Sequence, residues 1–481
     1  MSHASLWSRS TDIPRRKPLN RDMEVEAAVI GAGMAGVLIA DRLARRGVKT
    51  VVLEAASIGS GQTRNTTAKI TSQHGTIYAP LIDRLGREKA QQYADANRQA
   101  IGQYAEMIRD RHIDCGFREA PAYLYSGIDG QALRREAEAA ASLGIEARFV
   151  TETELPFPVA GAVRFERQAL FHPLRFLQAV SEGLDIYEDT PVISVKDHDI
   201  LTERGTVRAG HVIFASHFPF INVPGWYFMR MHQERSHVLA LQCDWQPEGM
   251  YYGVDPQGLS FRAAEGLLLM GGENHRTGEN SQGGRYEALR QQARSLFPDS
   301  REAACWSAQD CMTLDGVPYI GRFSASTPDW SVATGFCKWG MTGSMVAATL
   351  IADAIAGHAP DWAEVFSPSR FELSASAKNL ATDTAQAFKG LAREFLTLPQ
   401  SVLEELPVGH GGIVEAEGHK AGVYKDEEGR CHVVNPRCPH LGCQLEWNPD
   451  EKSWDCPCHG SRFTFDGALL DNPAQENLTE P

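Results

Sequence analysis

Residues 25–36 read VEAAVIGAGMAG, an apolar run that ends in the pattern G-x-G-x-x-G. The run predicts a buried parallel strand, and residues 35–46 (AGVLIADRLARR) continue with the apolar spacing of a helix. Residues 48–54 (VKTVVLE) read as the next strand. A strand, a crossover helix and a second parallel strand predict an α/β domain with a doubly wound, Rossmann-like sheet.

The three glycines of this turn suit a dinucleotide pyrophosphate. Gly31 permits the tight turn, Gly33 leaves room for the pyrophosphate, and Gly36 lets the helix pack closely on the strand. The first N–H groups of the helix point at the phosphates. Glu54 ends the second strand, where its carboxylate can accept hydrogen bonds from a ribose. Because the motif follows a strand, opens a helix and has an acidic partner, it predicts a dinucleotide site.

Length and composition bound the remaining possibilities. At roughly 150 residues per domain, 481 residues suggest about three units. The 43% hydrophobic and 22% charged residues are ordinary globular values. A net charge of −14 disfavours nucleic-acid binding, and no apolar run approaches the ~18 residues of a membrane span. The first 23 residues are polar, with no apolar stretch of a secretory signal after them, so we expect a surface arm and a cytoplasmic protein.

Helical and strand-like segments alternate in blocks, which predicts that a mixed α+β domain interrupts the nucleotide-binding fold. Residues 80–141 read as strongly helical, residues 237–243 as a strand, and residues 259–272 as two strands around a turn. We predict these boundaries: an N-terminal arm, 1–23; a two-part domain, 24–373; within it nucleotide-binding segments 24–79, 185–217 and 305–365, and a substrate region 80–184 and 218–304; a helical connector, 374–400; and a small all-β domain, 401–481.

Three further stretches extend the nucleotide site. Residues 57–63 read SIGSGQT, residues 315–321 read DGVPYIG, and residues 335–343 read GFCKWGMTG. With the first glycine turn, they resemble the D-amino-acid oxidase/sarcosine oxidase-like (DAO) family of FAD-dependent oxidoreductases, over residues 24–365. The resemblance implies non-covalent FAD, held by Gly31, Gly33, Met34, Ala35, Gly36, Glu54, Ser60, Gly61, Thr63, Val192, Gly340, Met341 and Thr342. No second G-x-G-x-x-G with a strand and helix around it is present, which disfavours a built-in NAD(P)H domain.

Five of the 10 cysteines lie between positions 431 and 458. Residues 438–443 read CPHLGC and residues 456–461 read CPCHGS, a grouping that indicates a metal centre in a cytoplasmic protein. Two Cys and two His side chains suit a tetrahedral zinc ion. The C-x-H…C-x-x-H order, with Asn472-Pro473-Ala474 downstream, resembles instead a Rieske [2Fe-2S] domain.

The Rieske resemblance implies a ligand set and a disulfide. Cys438 and Cys456 then bind one iron and His440 and His459 the other, and the neutral imidazoles raise the reduction potential. The second cysteine of each loop, Cys443 or Cys458, matches one of a pair that forms a disulfide in the respiratory branch. Whether this disulfide persists in a reducing cytosol depends on its reduction potential. The respiratory type has a tyrosine where this chain has Phe463, so we expect a potential below that of respiratory centres.

A flavin accepts two electrons as a hydride, whereas a Rieske cluster passes one at a time. The leading hypothesis is therefore a dehydrogenase that oxidises an amine or amino-acid-like small molecule at a C–N bond and releases electrons through the cluster to an external protein or quinone. The candidate catalytic residues are Lys69, His74, Arg262 and Lys338. Thr342 stands where the resembling family has a carboxylate-binding lysine, which disfavours an amino-acid substrate.

Two alternatives stay open at this point. In one, an external donor reduces the cluster, which supplies a flavin monooxygenase. In the other, the chain is a redox sensor or electron-transfer relay. The sequence does not predict the direction of electron flow, the distance between the two cofactors or the oligomeric state.

Overall fold

The computed structural model describes residues 3–370, 401–402, 406–416 and 419–481. The predicted connector, residues 374–400, lies outside the described residues. Within them the α-helices are α1 (Leu6–Ser10), α2 (Met34–Arg45), α3 (Tyr78–Asp110), α4 (Gly130–Ser142), α5 (Pro173–Ser181), α6 (Arg285–Leu296) and α7 (Gly340–Ile355). The long helix α3 is kinked at Gly86, where φ is 81°.

The strands fall into two groups along the chain. Those before the connector are β1 (Met23–Ile30), β2 (Thr50–Leu53), β3 (Lys69–Ile70), β4 (Arg118–Ser126), β5 (Ala147–Val150), β6 (Gly161–Leu170), β7 (Asp185–Tyr187), β8 (Val192–Lys196), β9 (Asp199–Thr202), β10 (Gly205–Phe214), β11 (Met231–Gln242), β12 (Met250–Gly253), β13 (Ser260–Ala264), β14 (Leu267–Arg276), β15 (Arg301–Thr313), β16 (Tyr319–Ser324) and β17 (Thr327–Thr334). Those after it are β18 (Ser401–Val402), β19 (Gly411–Ala416), β20 (His419–Lys425), β21 (Cys431–Val434), β22 (Glu446–Asn448), β23 (Ser453–Asp455), β24 (Arg462–Thr464) and β25 (Leu469–Asp471).

The first sheet is the predicted doubly wound sheet. Its main order is β16-β17-β10-β1-β2-β7, and β1 pairs in parallel with both β10 and β2. Helix α2 crosses from β1 to β2 and packs against α7. Strand β1 is apolar along its last four residues because it lies at the centre of the sheet and is buried there.

The second sheet has the order β15-β11-β14-β13-β12-β4-β6-β3. Strand β4 lies within the segment 80–141, which the sequence predicted to be strongly helical with interruptions at Gly102, Gly116 and Gly127. Its tyrosines pack well on a half-buried sheet, and it pairs along its length with β6. Strand β15 also belongs to this sheet, so residues 305–313 lie here, whereas the sequence placed them with the nucleotide-binding segments.

The C-terminal domain is all β, as predicted. It contains two four-stranded sheets, β18-β19-β20-β21 and β22-β23-β24-β25. Its core is formed largely by aromatic side chains, among them Trp447, Trp454 and Phe463. We name the two parts after the families that their sequences resemble: residues 401–481 are the iron–sulfur domain, and residues 3–370 the oxidoreductase domain. No helix among the described residues is both long and apolar enough to cross a membrane.

The N-terminal arm is anchored to the oxidoreductase domain. Trp7 of α1 is 1% exposed, and its indole Nε1 donates a hydrogen bond of 2.7 Å to the carbonyl of Thr66. The guanidinium of Arg262 lies 5.5 Å from the Trp7 ring centroid. The arm therefore packs against the loop between β2 and β3, and it is not loose on the surface.

Candidate active site and iron–sulfur centre

One large cavity lies between the two sheets of the oxidoreductase domain and is closed on one side by the iron–sulfur domain. Its volume is about 820 Å³, within the range of ligand-binding clefts. Its walls come from the β1–α2 turn, residues 54–67, strands β11 and β15, the start of α7, and residues 469–475. The cavity therefore collects the predicted cofactor segments from distant parts of the chain.

The glycine turn forms a cradle that side chains would fill. Gly31 has φ of 106°, and a Cβ there would lie 2.7 Å from the carbonyl oxygen of Ala215. A Cβ on Gly36 would lie 1.9 Å from the carbonyl oxygen of Gly31. Strand and helix thus approach through backbone alone, and Gly33, Met34 and Ala35 at the start of α2 line the cavity. This geometry fits the pyrophosphate of a dinucleotide.

Side chains lock the neighbouring loops onto the cradle. Glu54 accepts hydrogen bonds from the backbone N–H groups of Ala32 (2.7 Å) and Ala56 (2.9 Å), and burial raises the pKa of its carboxyl. The hydroxyl of Thr63 accepts a hydrogen bond of 3.0 Å from the N–H of Met34 at the start of α2. The predicted FAD residues that line the cavity are Gly31, Gly33, Met34, Ala35, Glu54, Ser60, Gly61, Thr63, Val192, Gly340 and Met341.

Thr342 has a packing role at the start of α7. Its side chain is fully buried, donates to the carbonyl of Thr71 (2.8 Å) and accepts from the N–H of the same residue (3.1 Å). Both hydroxyl functions are therefore used to tie α7 to the chain after β3. Thr342 does not line the cavity, in contrast to Gly340 and Met341.

Lys338 is the predicted catalytic residue that faces the cavity most directly. It precedes α7 in a left-handed backbone conformation, with φ of 75°, and its Nζ lies 3.0 Å from Oε2 of Glu234. Glu234 on β11 pairs in register with Asp310 on β15, so the two carboxylates share one face of the sheet. Asp310 lines the cavity, and burial raises the pKa of its carboxyl to about 6. These residues form a charged floor, defined here as Glu234, Asp310 and Lys338.

The other three candidates occupy different positions. Lys69 lines the cavity and donates to the carbonyl of Tyr251 (3.1 Å) and to the hydroxyl of Ser260; burial, with a smaller effect of Arg262, lowers its pKa to about 7. His74 lies outside the cavity wall behind Trp339, whose ring stacks on it at 5.0 Å between centroids.

His74 is also held by the protein on both ring nitrogens. Its Nδ1 lies 2.6 Å from the hydroxyl of Tyr93 and its Nε2 2.6 Å from the carbonyl of Thr71, and burial lowers its pKa to about 3. Arg262 likewise contributes nothing to the cavity wall, because its Nη1 donates to the carbonyls of Thr67 (2.8 Å) and Ala68 (2.6 Å). The structure thus places His74 and Arg262 in the supporting layer, away from the substrate position that the sequence suggested.

Sequence reasoning missed the acidic half of the charged floor. It began the strand now seen as β11 at His237, six residues after its true start, and so left Glu234 outside it. Residues 231–237 read MHQERSH, and because the side chains buried in alternation there are mostly polar, no apolar alternation in the sequence marks this part of the strand. Cys311 also lines the cavity as a buried thiol, and burial raises its pKa, which favours the protonated thiol.

The two iron–sulfur loops have the same backbone geometry. In the first, the N–H of Cys438 donates to the carbonyl of Cys443 (2.8 Å); in the second, Cys456 donates to Ser461 (2.8 Å). Each loop therefore presents one cysteine and one histidine from a matching turn. A disulfide joins Cys443 to Cys458, as the resemblance implied.

The four predicted ligands converge between these loops. The thiols of Cys438 and Cys456 are each 1% exposed and are not part of the disulfide. The imidazole rings of His440 and His459 lie 5.0 Å apart between centroids. Nδ1 of His440 is buried and has no hydrogen-bond partner among the described residues, while its Nε2 lies 2.7 Å from Oδ1 of Asn222. A buried imidazole nitrogen left open beside two free thiols fits a [2Fe-2S] cluster with Cys₂His₂ ligation.

Side chains of the oxidoreductase domain hold the iron–sulfur loops. Nε2 of Gln233 donates to the carbonyl of His459 (2.8 Å), and Nε2 of Gln309 donates to the carbonyl of Gly460 (2.9 Å). Arg235 forms a buried ion pair with Glu451 of the iron–sulfur domain. The second cluster loop therefore docks on β11 and β15, the same strands that carry the acidic residues of the charged floor.

Family comparison agrees with the geometry of both sites. Residues 26–354 match the FAD dependent oxidoreductase (DAO) family, and residues 399–481 match the Rieske [2Fe-2S] domain. The chain belongs to the DAO family and carries a C-terminal Rieske domain. It is an FAD-dependent oxidoreductase whose cofactors are FAD and a [2Fe-2S] cluster.

Individual relatives show the same combination of domains and the same fold. The chain is 37% identical to the putative Rieske 2Fe-2S iron-sulfur protein YhfW of Bacillus subtilis, over 99% of this chain and 97% of that protein. Glycine oxidase from Geobacillus kaustophilus covers 74% of this chain and 100% of its own, with 21% identity and a TM-score of 0.61. L-proline dehydrogenase from P. horikoshii covers 73% and 99%, with 17% identity and a TM-score of 0.61.

Proposed function

We propose that this protein is a dehydrogenase that oxidises a small amine at a C–N bond in the cavity and passes the electrons to its own Rieske cluster. Bound FAD supplies the hydride acceptor for such a reaction. The names of the structural neighbours, glycine oxidase and L-proline dehydrogenase, support a nitrogen-bearing substrate. An external protein or quinone then takes the electrons from the cluster.

One observation carries the proposal: strands β11 and β15 face both redox sites. Asp310 lines the cavity and Glu234 shares its face of the sheet, while Gln233 and Gln309 bind the carbonyls of the second cluster loop. Since neighbouring residues of a strand point to opposite faces, these strands line the cavity with one face and hold the second cluster loop with the other. This proximity supports transfer within the chain.

The charged floor suits a cationic substrate better than an anionic one. Glu234 and Asp310 oppose a single ammonium group, that of Lys338, and Arg262 is occupied by backbone carbonyls. An incoming ammonium is attracted to this floor. A C–N bond is oxidised from the neutral amine, so a base must remove a proton first. With a pKa of about 6, Asp310 is mostly ionised at neutral pH and accepts that proton.

The experiment is anaerobic mixing of the purified chain with a panel of primary amines, secondary amines and amino acids. Flavin absorbance and the electron paramagnetic resonance (EPR) signal of the reduced cluster are recorded over time. A substrate is expected to bleach the flavin first and to produce the cluster signal second. A His440→Ala variant, which loses one iron ligand, is the control: its flavin is expected to bleach with no cluster signal to follow.

Other outcomes separate the alternatives. A chain that stays oxidised with every amine, yet is reduced through its cluster by a ferredoxin-type donor, contradicts the dehydrogenase and favours a monooxygenase. A chain that is reduced by donors but turns over no metabolite, with or without oxygen, favours a relay or sensor. Flavin bleaching without cluster reduction in the unaltered chain contradicts the internal transfer alone.

A further inference from the structure

We propose that residues 469–475 of the iron–sulfur domain form one wall of the FAD site, so that docking of this domain retains FAD in the oxidoreductase domain. We call these residues the closing segment. Six of its residues line the cavity: Leu469, Leu470, Asp471, Asn472, Ala474 and Gln475. The same cavity is lined by the glycine turn and by Glu54, the predicted pyrophosphate and ribose contacts.

Asn472 fastens the middle of the closing segment to the first sheet. Its Nδ2 donates to the carbonyls of Ser216 (2.8 Å) and Phe218 (2.7 Å), which follow the end of β10. Its own carbonyl accepts a hydrogen bond of 2.9 Å from Nε2 of Gln233 on β11. Asn472 thus bridges the first sheet and the second at the mouth between them.

The two ends of the closing segment are fastened beside predicted FAD contacts. Asp471 accepts a hydrogen bond of 2.9 Å from Nε2 of Gln62, which lies between Gly61 and Thr63 in the cofactor loop. Gln475 donates to the carbonyls of Val192 and Ile193, each at 3.2 Å. Val192 is the residue that the family resemblance places near the adenine. The segment therefore spans the cavity from the pyrophosphate loop to the adenosine end.

Undocking this wall would expose the cavity along that length. The oxidoreductase domain alone lacks a replacement for these contacts among the described residues, because Gln62, Ser216 and Val192 direct their bonded groups at the closing segment. FAD release then requires the iron–sulfur domain to move, and FAD in turn favours the docked domain. This coupling does not depend on the substrate or on the direction of electron flow.

The first test measures how fast FAD leaves the full-length holoprotein, by the rise in fluorescence of free flavin after dilution. The double variant Asn472→Ala/Gln475→Ala loses four hydrogen bonds of the closing segment and is expected to release FAD at least ten-fold faster, which corresponds to ~1.4 kcal/mol or more. Glu476→Ala is the matched control, because Glu476 is exposed and has no hydrogen bond among the described residues; it is expected to release FAD at the unaltered rate.

The cluster EPR spectrum reports whether the iron–sulfur domain of the double variant is folded. An intact spectrum together with an unchanged release rate overturns the proposal. The second test needs no substitution: hydrogen–deuterium exchange of the full chain, with FAD bound and after FAD removal. Slower exchange of residues 469–475 with FAD bound supports the wall, and equal exchange overturns it. This second result decides the matter where the double variant does not fold.

Discussion

The glycine cradle and the iron–sulfur loops hold their cofactors in opposite ways. The cradle is made of backbone from one strand–turn–helix, and it depends on the absence of side chains at Gly31 and Gly36. The iron–sulfur loops present side-chain ligands, and their surroundings are supplied by another domain through Asn222, Gln233 and Gln309. The cradle is therefore sensitive to any added side-chain atom. The surroundings of the cluster, in contrast, are adjusted by single polar side chains from distant parts of the sequence. The charged floor lies between these two regions, and its proposed role depends on the charges of its side chains.

The largest expected effect is at the cradle. A Gly36→Val substitution places a side chain where even a Cβ would lie 1.9 Å from a backbone carbonyl oxygen, so helix α2 must shift away from β1. The chain is expected to purify without FAD while its cluster EPR signal remains. Absorbance spectra and flavin content measure this. Gly102→Ala in α3, where a Cβ meets no neighbouring atom, is the control and is expected to keep its FAD.

The next effect is at the charged floor. Asp310→Asn removes the proposed base, and kcat/KM for an amine substrate is expected to fall about 100-fold. In the unaltered chain, kcat/KM is expected to rise with pH through about 6, because Asp310 accepts a proton only when ionised. The variant is expected to lose this rise. If the pH profile of kcat/KM is the same in the variant, the proton is transferred to another group. Asp299→Asn, on the exposed loop before β15, is the control and is expected to keep the profile.

A smaller effect is expected where the oxidoreductase domain contacts a cluster ligand. With iron on Nδ1, the Nε2–H of His440 donates to Asn222, which increases the electron density on the imidazole and favours the oxidised cluster. Asn222→Ala is expected to raise the reduction potential on the order of 50 mV, given about 59 mV per tenfold change for one electron. Asn222→Asp, with a charged acceptor, is expected to lower it. Potentials that stay equal in a redox titration would show that this contact has no influence.

The smallest effect is expected inside the iron–sulfur domain. Phe463 is fully buried on β24 and stands where the respiratory type has a tyrosine. Phe463→Tyr is expected to raise the potential by a few tens of mV, roughly the result of one added weak hydrogen bond to the cluster region. Phe465→Tyr, two residues further along and only partly buried, is the control. If the reduction potentials of both variants equal that of the unaltered chain, Phe463 does not account for the expected low potential.

The elements that sequence reasoning predicted well are those with a strong local pattern. The strand–turn–helix around Gly31 and the two-strand turn at residues 259–272 have the expected form, because apolar periodicity and glycine punctuation act over a few residues. Strand β4 was misread as helix, since its alanines and glutamate favour helix in isolation. Pairing with β6 and β12 overrides that preference.

The amino-acid order alone determined the two cofactor classes of this protein. The spacing of the glycines in one turn, and of the cysteines and histidines in two loops, already indicates the cofactors. The groups that bind each cofactor lie close together in the sequence, so neighbouring residues set their positions. Only the tertiary structure decided that β11 and β15 lie between the two sites, that Lys338 faces Glu234 and Asp310, and that the closing segment completes the cavity. Such contacts join residues far apart in the chain, and they form only when separate sheets pack, so no local pattern encodes them.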